Sequence, residues 1–218
     1  MLKYGMAITL ALGLSLGSAL PVEAATVTGA TNTAQQSAQD FMQSVTDRLL
    51  KQLIDQRAEY KKDPQLLYRI VDENITPYVD YTTIARRVMG QYFRQTSDVQ
   101  HQRFVATFKD SLIRTYGNGL AAYDHQTITI LPSREPATGN TATVQMEIVN
   151  PSGQSVPVTY ELKRGNQGAW MLENVVLNGI NLGLTFRNQF ASDVEQYHND
   201  FDMVISHWVP AAPKVHQP

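Results

Sequence analysis

Cysteine is absent from the chain. That removes disulfides, thiol nucleophiles, cysteine-based zinc sites and any N-terminal cysteine to carry a lipid. An excess of one charge is also missing: 18 basic residues stand against 20 acidic ones, a net of −2. Such a balance offers no electrostatic hold on nucleic acid. After the first two dozen residues, no apolar run approaches the roughly 20 residues that a membrane-spanning helix needs. No repeat recurs at solenoid periods. Glycine-rich phosphate loops, a G-x-S-x-G elbow and an H-E-x-x-H helix are likewise missing. The five histidines, His101, His125, His198, His207 and His216, are scattered. His198 and His207 lie in one region with no third ligand between or beside them, which favours solvated side chains over a metal site. Asp124-His125 reads as a turn between a helix and a strand. The expectation is no metal, no cofactor and no catalytic constellation.

What is present begins at the N-terminus. Lys3 gives a short positive start, Met6 to Leu20 is almost wholly apolar or small, Pro21 breaks any helix, and Val22-Glu23-Ala24 offers small residues to a signal peptidase. The run is too short to span a bilayer and reads as a signal peptide over residues 1–24, cleaved after Ala24. An exported, periplasmic chain is expected. Residues 25–33 are rich in Thr, Ala and Asn and read as a flexible leader. The remainder has the length of a single domain with a real core.

Helical periodicity dominates the first half of that domain. Phe41, Val45, Leu49 and Leu53 recur every four residues. Asp63-Pro64 pairs an N-cap with a first-turn proline ahead of Leu66, Leu67, Ile70 and Val71. A short helix from about Asp80 carries Ile84, Val88 and Met89, with Gly90 to cap it. Ser97-x-x-Gln100 is a capping box. It opens a stripe of Phe104, Phe108, Leu112, Tyr116 and Leu120, whose spacing of four drifts about 40° per step, so the stripe wraps around its helix.

After Asp124 the period changes to two. Thr127 to Leu131 looks extended. Ala142, Val144, Met146 and Ile148 alternate with Thr141, Thr143, Gln145 and Glu147. Asn150-Pro151-Ser152-Gly153 turns the chain, and Val156, Val158, Tyr160 and Leu162 alternate in turn. Trp170 to Leu177 forms a fourth strand, with Trp170, Leu172 and Val176 expected on one side. Gly179 is expected to end the sheet. Asn181 then caps a helix bearing Leu182, Phe186, Phe190, Val194 and Tyr197, and a last short helix carries Phe201, Val204, Ile205 and Trp208. One apolar sheet face has to be covered, and helices are the only cover available. The expected fold is α+β: a curved antiparallel sheet of about four strands covered by about six helices, enclosing an apolar cavity. The domain would run over 34–208, with a helical half (34–124), the sheet (125–178) and C-terminal helices (179–208). A proline-bearing tail over 209–218 is expected to be disordered.

The segment Trp170-x-Leu172-x-Asn174-Val175-x-Leu177-Asn178-Gly179-Ile180-Asn181-Leu182, followed by Phe186-Arg187-x-x-Phe190, resembles the signature of the MlaC family, also called toluene-tolerance auxiliary proteins. Upstream, Ile75-x-Pro77-Tyr78-Val79-Asp80, Val88-Met89-Gly90-x-Tyr92-Phe93, Phe104-x-x-x-Phe108 and Thr115-Tyr116-x-x-x-Leu120-x-x-Tyr123 look like the family's helical half. The resemblance covers roughly residues 35–208. It departs at Asn174, where the family has Asp, and at Asn181, where it has Ser. What the resemblance implies is a periplasmic phospholipid shuttle with the tails inside and the headgroup outward. Its implied partners are an outer-membrane lipoprotein–porin complex and an inner-membrane ABC transporter with a periplasmic ring that captures the lipid. The implied role is to maintain outer-membrane lipid asymmetry, with the carrier acting as a monomer and phospholipid as cargo rather than cofactor.

On this reading the inward strand faces form the wall for the tails: Val144, Met146 and Ile148, then Val158, Tyr160 and Leu162, then Trp170 and Leu172, with Ile180 at the sheet's end. Met89, Tyr116 and Leu120 are the helical contributors, and Arg187 is a weak candidate for the headgroup phosphate. Two other readings stand beside it. One is a cone-shaped α+β enzyme of ketosteroid-isomerase type acting on an apolar small molecule, which needs a carboxylate base beside buried Tyr donors. The other is an adaptor with a solid core.

Overall fold

The computed structural model describes residues 36–121, 123, 126–133 and 139–211. The expected signal peptide and leader, Asp124-His125, His216 and the tail beyond Ala211 lie outside the described residues.

Apart from the single turn α2, each helix starts where a short polar side chain meets the free N–H groups of its first turn, as capping requires. Ser37 opens α1 (Ala38–Asp55), accepting from the Asp40 amide at 3.0 Å. A single turn, α2 (Arg57–Tyr60), follows, and Asp63 with Pro64 opens α3 (Pro64–Ile75). Asp80 opens α4 (Tyr81–Met89) by accepting from both the amide and the hydroxyl of Thr83, bonds that hold its carboxyl below the usual carboxylate range. Gly90 then closes α4 with φ +57°, a conformation that suits glycine. Ser97 and Gln100 exchange bonds reciprocally at the head of α5 (Asp98–Ala121). Asn181 caps α6 (Leu182–Gln196), and Asp200 caps α7 (Phe201–His207). The described residues thus hold seven α-helices rather than about six, the extra one being the turn at Arg57–Tyr60.

The sheet is an antiparallel meander in chain order: β1 (Thr127–Ile130), β2 (Thr141–Val149), β3 (Ser155–Arg164), β4 (Trp170–Leu177) and β5 (Ile180–Asn181). The fifth strand corrects the expectation that the sheet ends at Gly179. Asn178 and Gly179 both take positive φ, 48° and 79°. That is the pattern of a two-residue primed turn, which reverses the chain into a hairpin. β5 consequently pairs Ile180 with Leu177.

A second correction concerns β4. A bulge shifts its register between Glu161/Leu162, so that Glu161 faces Asn174 while Leu162 faces Leu172. The extra residue, Glu173, flips the alternation. Val175 and Leu177 therefore join Trp170 and Leu172 on the inner face, and Val176, expected there, turns to the other side opposite Thr159.

The apolar side chains pack in three groups. Phe104 and Phe108 of α5 join Ala85, Val88 and Met89 of α4, Phe186 and Phe190 of α6, and Val204, Ile205 and Trp208 near α7. Ala38, Phe41, Met42 and Val45 of α1 lie on Val144, Leu162 and Trp170 of the sheet. Leu49, Leu53, Leu67, Ile70 and Ile113 bind α1, α3 and α5. The drift of the α5 stripe is visible here: Phe104 and Phe108 enter the first group, Tyr116 stands at its margin, and Leu120 packs on the third. Among the described residues no helix is long and apolar enough to cross a membrane.

Candidate functional site

Directly opposed residues of an antiparallel sheet share a face. The register therefore draws one apolar rung across all five strands: Ile130, Met146, Val158, Leu177, Ile180. Beside it run Val144–Tyr160–Val175 and then Ala142–Leu162–Leu172, and on the other side Ile128–Ile148–Val156. The carboxylates of the sheet fall elsewhere. Glu147 pairs with Pro157 and Glu161 with Thr143 on the opposite face, and Glu173 at the bulge is held by Arg87 at 2.9 Å.

Two elements roof this face from different sides. α1 covers the Val144–Leu162–Trp170 end. There the Trp170 indole donates to the Gln36 carbonyl at 3.0 Å, and the Arg164 guanidinium lies 4.0 Å from the indole ring centre. α6 covers the other end, where Val175, Leu177 and Ile180 touch the helical core. Asn174 anchors that helix to the sheet: its Oδ1 accepts the Gly183 amide at 3.1 Å. The lack of a Cβ on Gly183 permits this, since a Cβ there would lie 2.9 Å from Oδ1.

Between the two roofs lies the middle rung of the face. Met146 and Val158 are buried, but among the described residues they join neither packed group. Around them Ile130, Ile148, Val156, Tyr160 and Leu177 keep part of their surface accessible. Tyr160 is half-buried and packs beside the α1 group, and burial pushes its phenol up to about 12. Its hydroxyl reaches only the Met146 sulfur, at 3.5 Å, and a thioether is a weak acceptor. On α5, burial likewise pushes the Tyr116 phenol up to about 12, and its hydroxyl has no hydrogen-bond partner among the described residues.

The sequence-predicted wall is thus brought together in large part: Val144, Met146, Ile148, Val158, Tyr160, Leu162, Trp170, Leu172 and Ile180 share one face. The helical contributors disperse. Met89 sits within the helical core, Leu120 lies against α1 and α3, and Tyr116 stands at the helical core's margin. Arg187 is exposed and makes no ion pair among the described residues; its Nε would lie 3.0 Å from a Cβ at Gly90. Two surface clefts lie away from the rung. One of about 740 Å³ runs between the start of α4 and the β3–β4 turn and shares only Leu172 with the wall. One of about 330 Å³ lies beside Met89, Phe93 and His101. The inner face also carries Ile130, Val175 and Leu177, which sequence reasoning did not place there. For the last two the signal was the break in alternation at Glu173-Asn174 followed by adjacent valines. Among the described residues no three His, Asp or Glu side chains gather to hold a metal.

The family described as MlaC protein matches residues 43–209. Toluene tolerance protein ttg2D of Pseudomonas putida is 36% identical over 185 residues, spanning 84% of this chain and 85% of its own length. The intermembrane phospholipid transport system binding protein MlaC of Haemophilus influenzae is 27% identical over 151 residues, spanning 68% of this chain and 71% of its own length. Among solved structures, the phospholipid-binding protein of Ralstonia solanacearum in complex with a phospholipid superposes with a TM-score of 0.67 at 26% identity. The match covers 78% of this chain and 98% of that one.

Proposed function

The chain belongs to the MlaC family, and from that membership we propose that it is a periplasmic phospholipid carrier. The observation that carries this reading is the continuous apolar rung Ile130–Met146–Val158–Leu177–Ile180 across the sheet, lying between the parts of the face that α1 and α6 cover. A similar fold was solved with a phospholipid bound, and a relative is named for phospholipid transport between membranes. The domain over 34–208 acts as one lipid-binding unit and as a monomer, released from its signal peptide after Ala24. The acyl tails lie along the Met146–Val158–Leu177 rung, and the headgroup faces outward, within reach of Arg187.

The physics explains why a carrier is required. Two acyl tails have on the order of 30 methylenes, and exposing each costs about 0.8 kcal/mol, so free passage through water is negligible. The protein hides the tails while an outer-membrane lipoprotein–porin complex and an inner-membrane ABC transporter with a periplasmic ring exchange them, which maintains lipid asymmetry of the outer membrane. Its work is binding and release, with no bond made or broken. An isomerase-like reading needs a carboxylate beside Tyr160, and the register turns Glu147 and Glu161 to the other face.

Lipid extraction and mass spectrometry of protein purified without detergent test the proposal. Roughly one diacyl phospholipid per chain is expected. A well-folded, delipidated protein that takes up no lipid from vesicles would overturn it, and chemically altered lipid would favour an enzyme.

A further inference from the structure

The chain holds two Asn-Gly pairs, Asn118-Gly119 and Asn178-Gly179, and all four residues are exposed. A glycine after asparagine leaves its amide nitrogen uncrowded, so that it can attack the asparagine side chain. The backbone separates the two pairs. Asn118 and Gly119 lie inside α5, where each N–H donates to the carbonyl four residues back. The Asn118 Oδ1 also accepts from the Tyr68 hydroxyl at 3.0 Å. Asn178 and Gly179 form the tip of the β4–β5 hairpin. There neither the Asn178 side chain nor the Gly179 N–H has a hydrogen-bond partner among the described residues. Nothing lies within 4 Å of a Cβ built on Gly179, so the peptide between the two residues has room to turn.

We propose that Asn178 is a site of self-modification, deamidating through a succinimide to isoaspartate, while Asn118 is spared. The Gly179 nitrogen loses its proton and bonds to Asn178 Cγ. The Cγ–Nδ2 bond breaks, and Nδ2 leaves with that proton as ammonia. Water then opens the five-membered ring, and no oxidant, reductant or cofactor enters. Opening at Cγ gives aspartate. Opening at the backbone carbonyl gives isoaspartate, in which the chain runs through Cγ and is one methylene longer. A two-residue primed turn has no slack for an extra methylene. The change therefore falls on what the turn joins. Those joints are the bond from the Asn178 N–H to the Pro157 carbonyl at 2.8 Å, the Leu177–Ile180 pairing and, just beyond, the Asn181 cap of α6. Leu177 and Ile180 close the apolar rung, so the modification loosens that end of it.

The full-length mature protein, aged in mildly alkaline buffer beside Asn178→Gly, tests this. Gly-Gly suits the same turn and offers no side chain to attack. Peptide mapping by mass spectrometry should show the mass gain of amide-to-acid exchange at Asn178, mostly as isoaspartate. It should accumulate at least about tenfold faster than at Asn118, where a helical hydrogen bond has to open first. Hydrogen exchange should show the Ile180–Asn181 amides losing protection in aged wild type and keeping it in aged Asn178→Gly. An unchanged Asn178, or equal rates at Asn118 and Asn178, would overturn the inference. So would isoaspartate at Asn178 that leaves the protection of β5 as it is in the aged Asn178→Gly control. None of these readouts depends on bound lipid, so the carrier reading stands or falls separately.

Discussion

The helical core and the inner sheet face are both built from large apolar side chains and are packed differently. Around α5, Phe104, Phe108 and Phe190 are wholly inaccessible and Trp208 is 1% exposed. Their rings meet at 4.9 to 5.7 Å between centres, tilted or edge to face, which is how aromatic quadrupoles fill space without gaps. On the sheet, aliphatic side chains project at a strand spacing, and the middle rung of Met146 and Val158 is buried without belonging to any of the three packed groups. Hydrophobicity is common to both regions. What differs is the packing: rings interlock in the helical core, whereas on the sheet the middle rung lies outside the packed groups.

The comparison breaks most sharply if one residue on each side is disrupted. If the proposed tails lie along the middle rung, Val158→Glu should abolish lipid loading, because space vacated by lipid would admit water around the carboxylate. Its melting temperature should fall less than that of Phe104→Ala. Lipid content and thermal melting measured together decide it. A melt that collapses as far as that of the core variant would make Val158 ordinary core.

Phe104→Ala is expected to cost about 3–5 kcal/mol, from lost transfer energy and the cavity left in a sealed core. Chemical denaturation measures it. A loss below about 1 kcal/mol would mean that the helical core is as loose as the sheet.

Alkaline titration sharpens the contrast at Tyr160 and Tyr116. Both phenols are raised by burial from 10.0 to about 12. A group whose pKa is higher folded than unfolded contributes stability that is complete below the unfolded value and is lost as pH rises through the folded one. Stability should therefore fall between pH 10 and about 12. Tyrosinate absorbance should show Tyr160→Phe and Tyr116→Phe each removing a late-titrating phenol.

The smallest effect is expected at the joint between the two regions. Asn181→Ala removes the cap of α6 and should cost about 1 kcal/mol, read by denaturant unfolding, with lipid content nearly unchanged. A complete loss of lipid would show that the start of α6 shapes the cavity and does more than roof it.

Much of this was legible in the chain because its signals are local. Asp63-Pro64, Ser97 with Gln100, and Asn181 declare their helices through bonds spanning two or three residues, and all three form. The alternation of β2 and β3 declares an inner face, and the register honours it residue by residue. Even the wrapping of the α5 stripe follows from 3.6 residues per turn. Two features were overlooked although local signs existed. Asn178-Gly179 is a primed-turn dipeptide that brings in a fifth strand, and the Glu173-Asn174 interruption marks the bulge. Simple alternation carried past that point puts Val176 where Val175 and Leu177 belong.

The placement of the helical candidates was of another kind. Met89, Tyr116 and Leu120 are equally apolar on paper, and nothing near them in the chain says whether a neighbour will cover them. Met89 is sealed by α5 and α6, Leu120 is taken by α1 and α3, and Tyr116 alone is left with an unanswered hydroxyl. The sequence by itself determined the elements, their caps, the inner face of the sheet and the family, because each depends on bonds and periodicities within a few residues. Only the tertiary structure decided which partner covers each apolar side chain, because that depends on where α1 and α6 settle over the sheet, set by packing between residues more than a hundred positions apart.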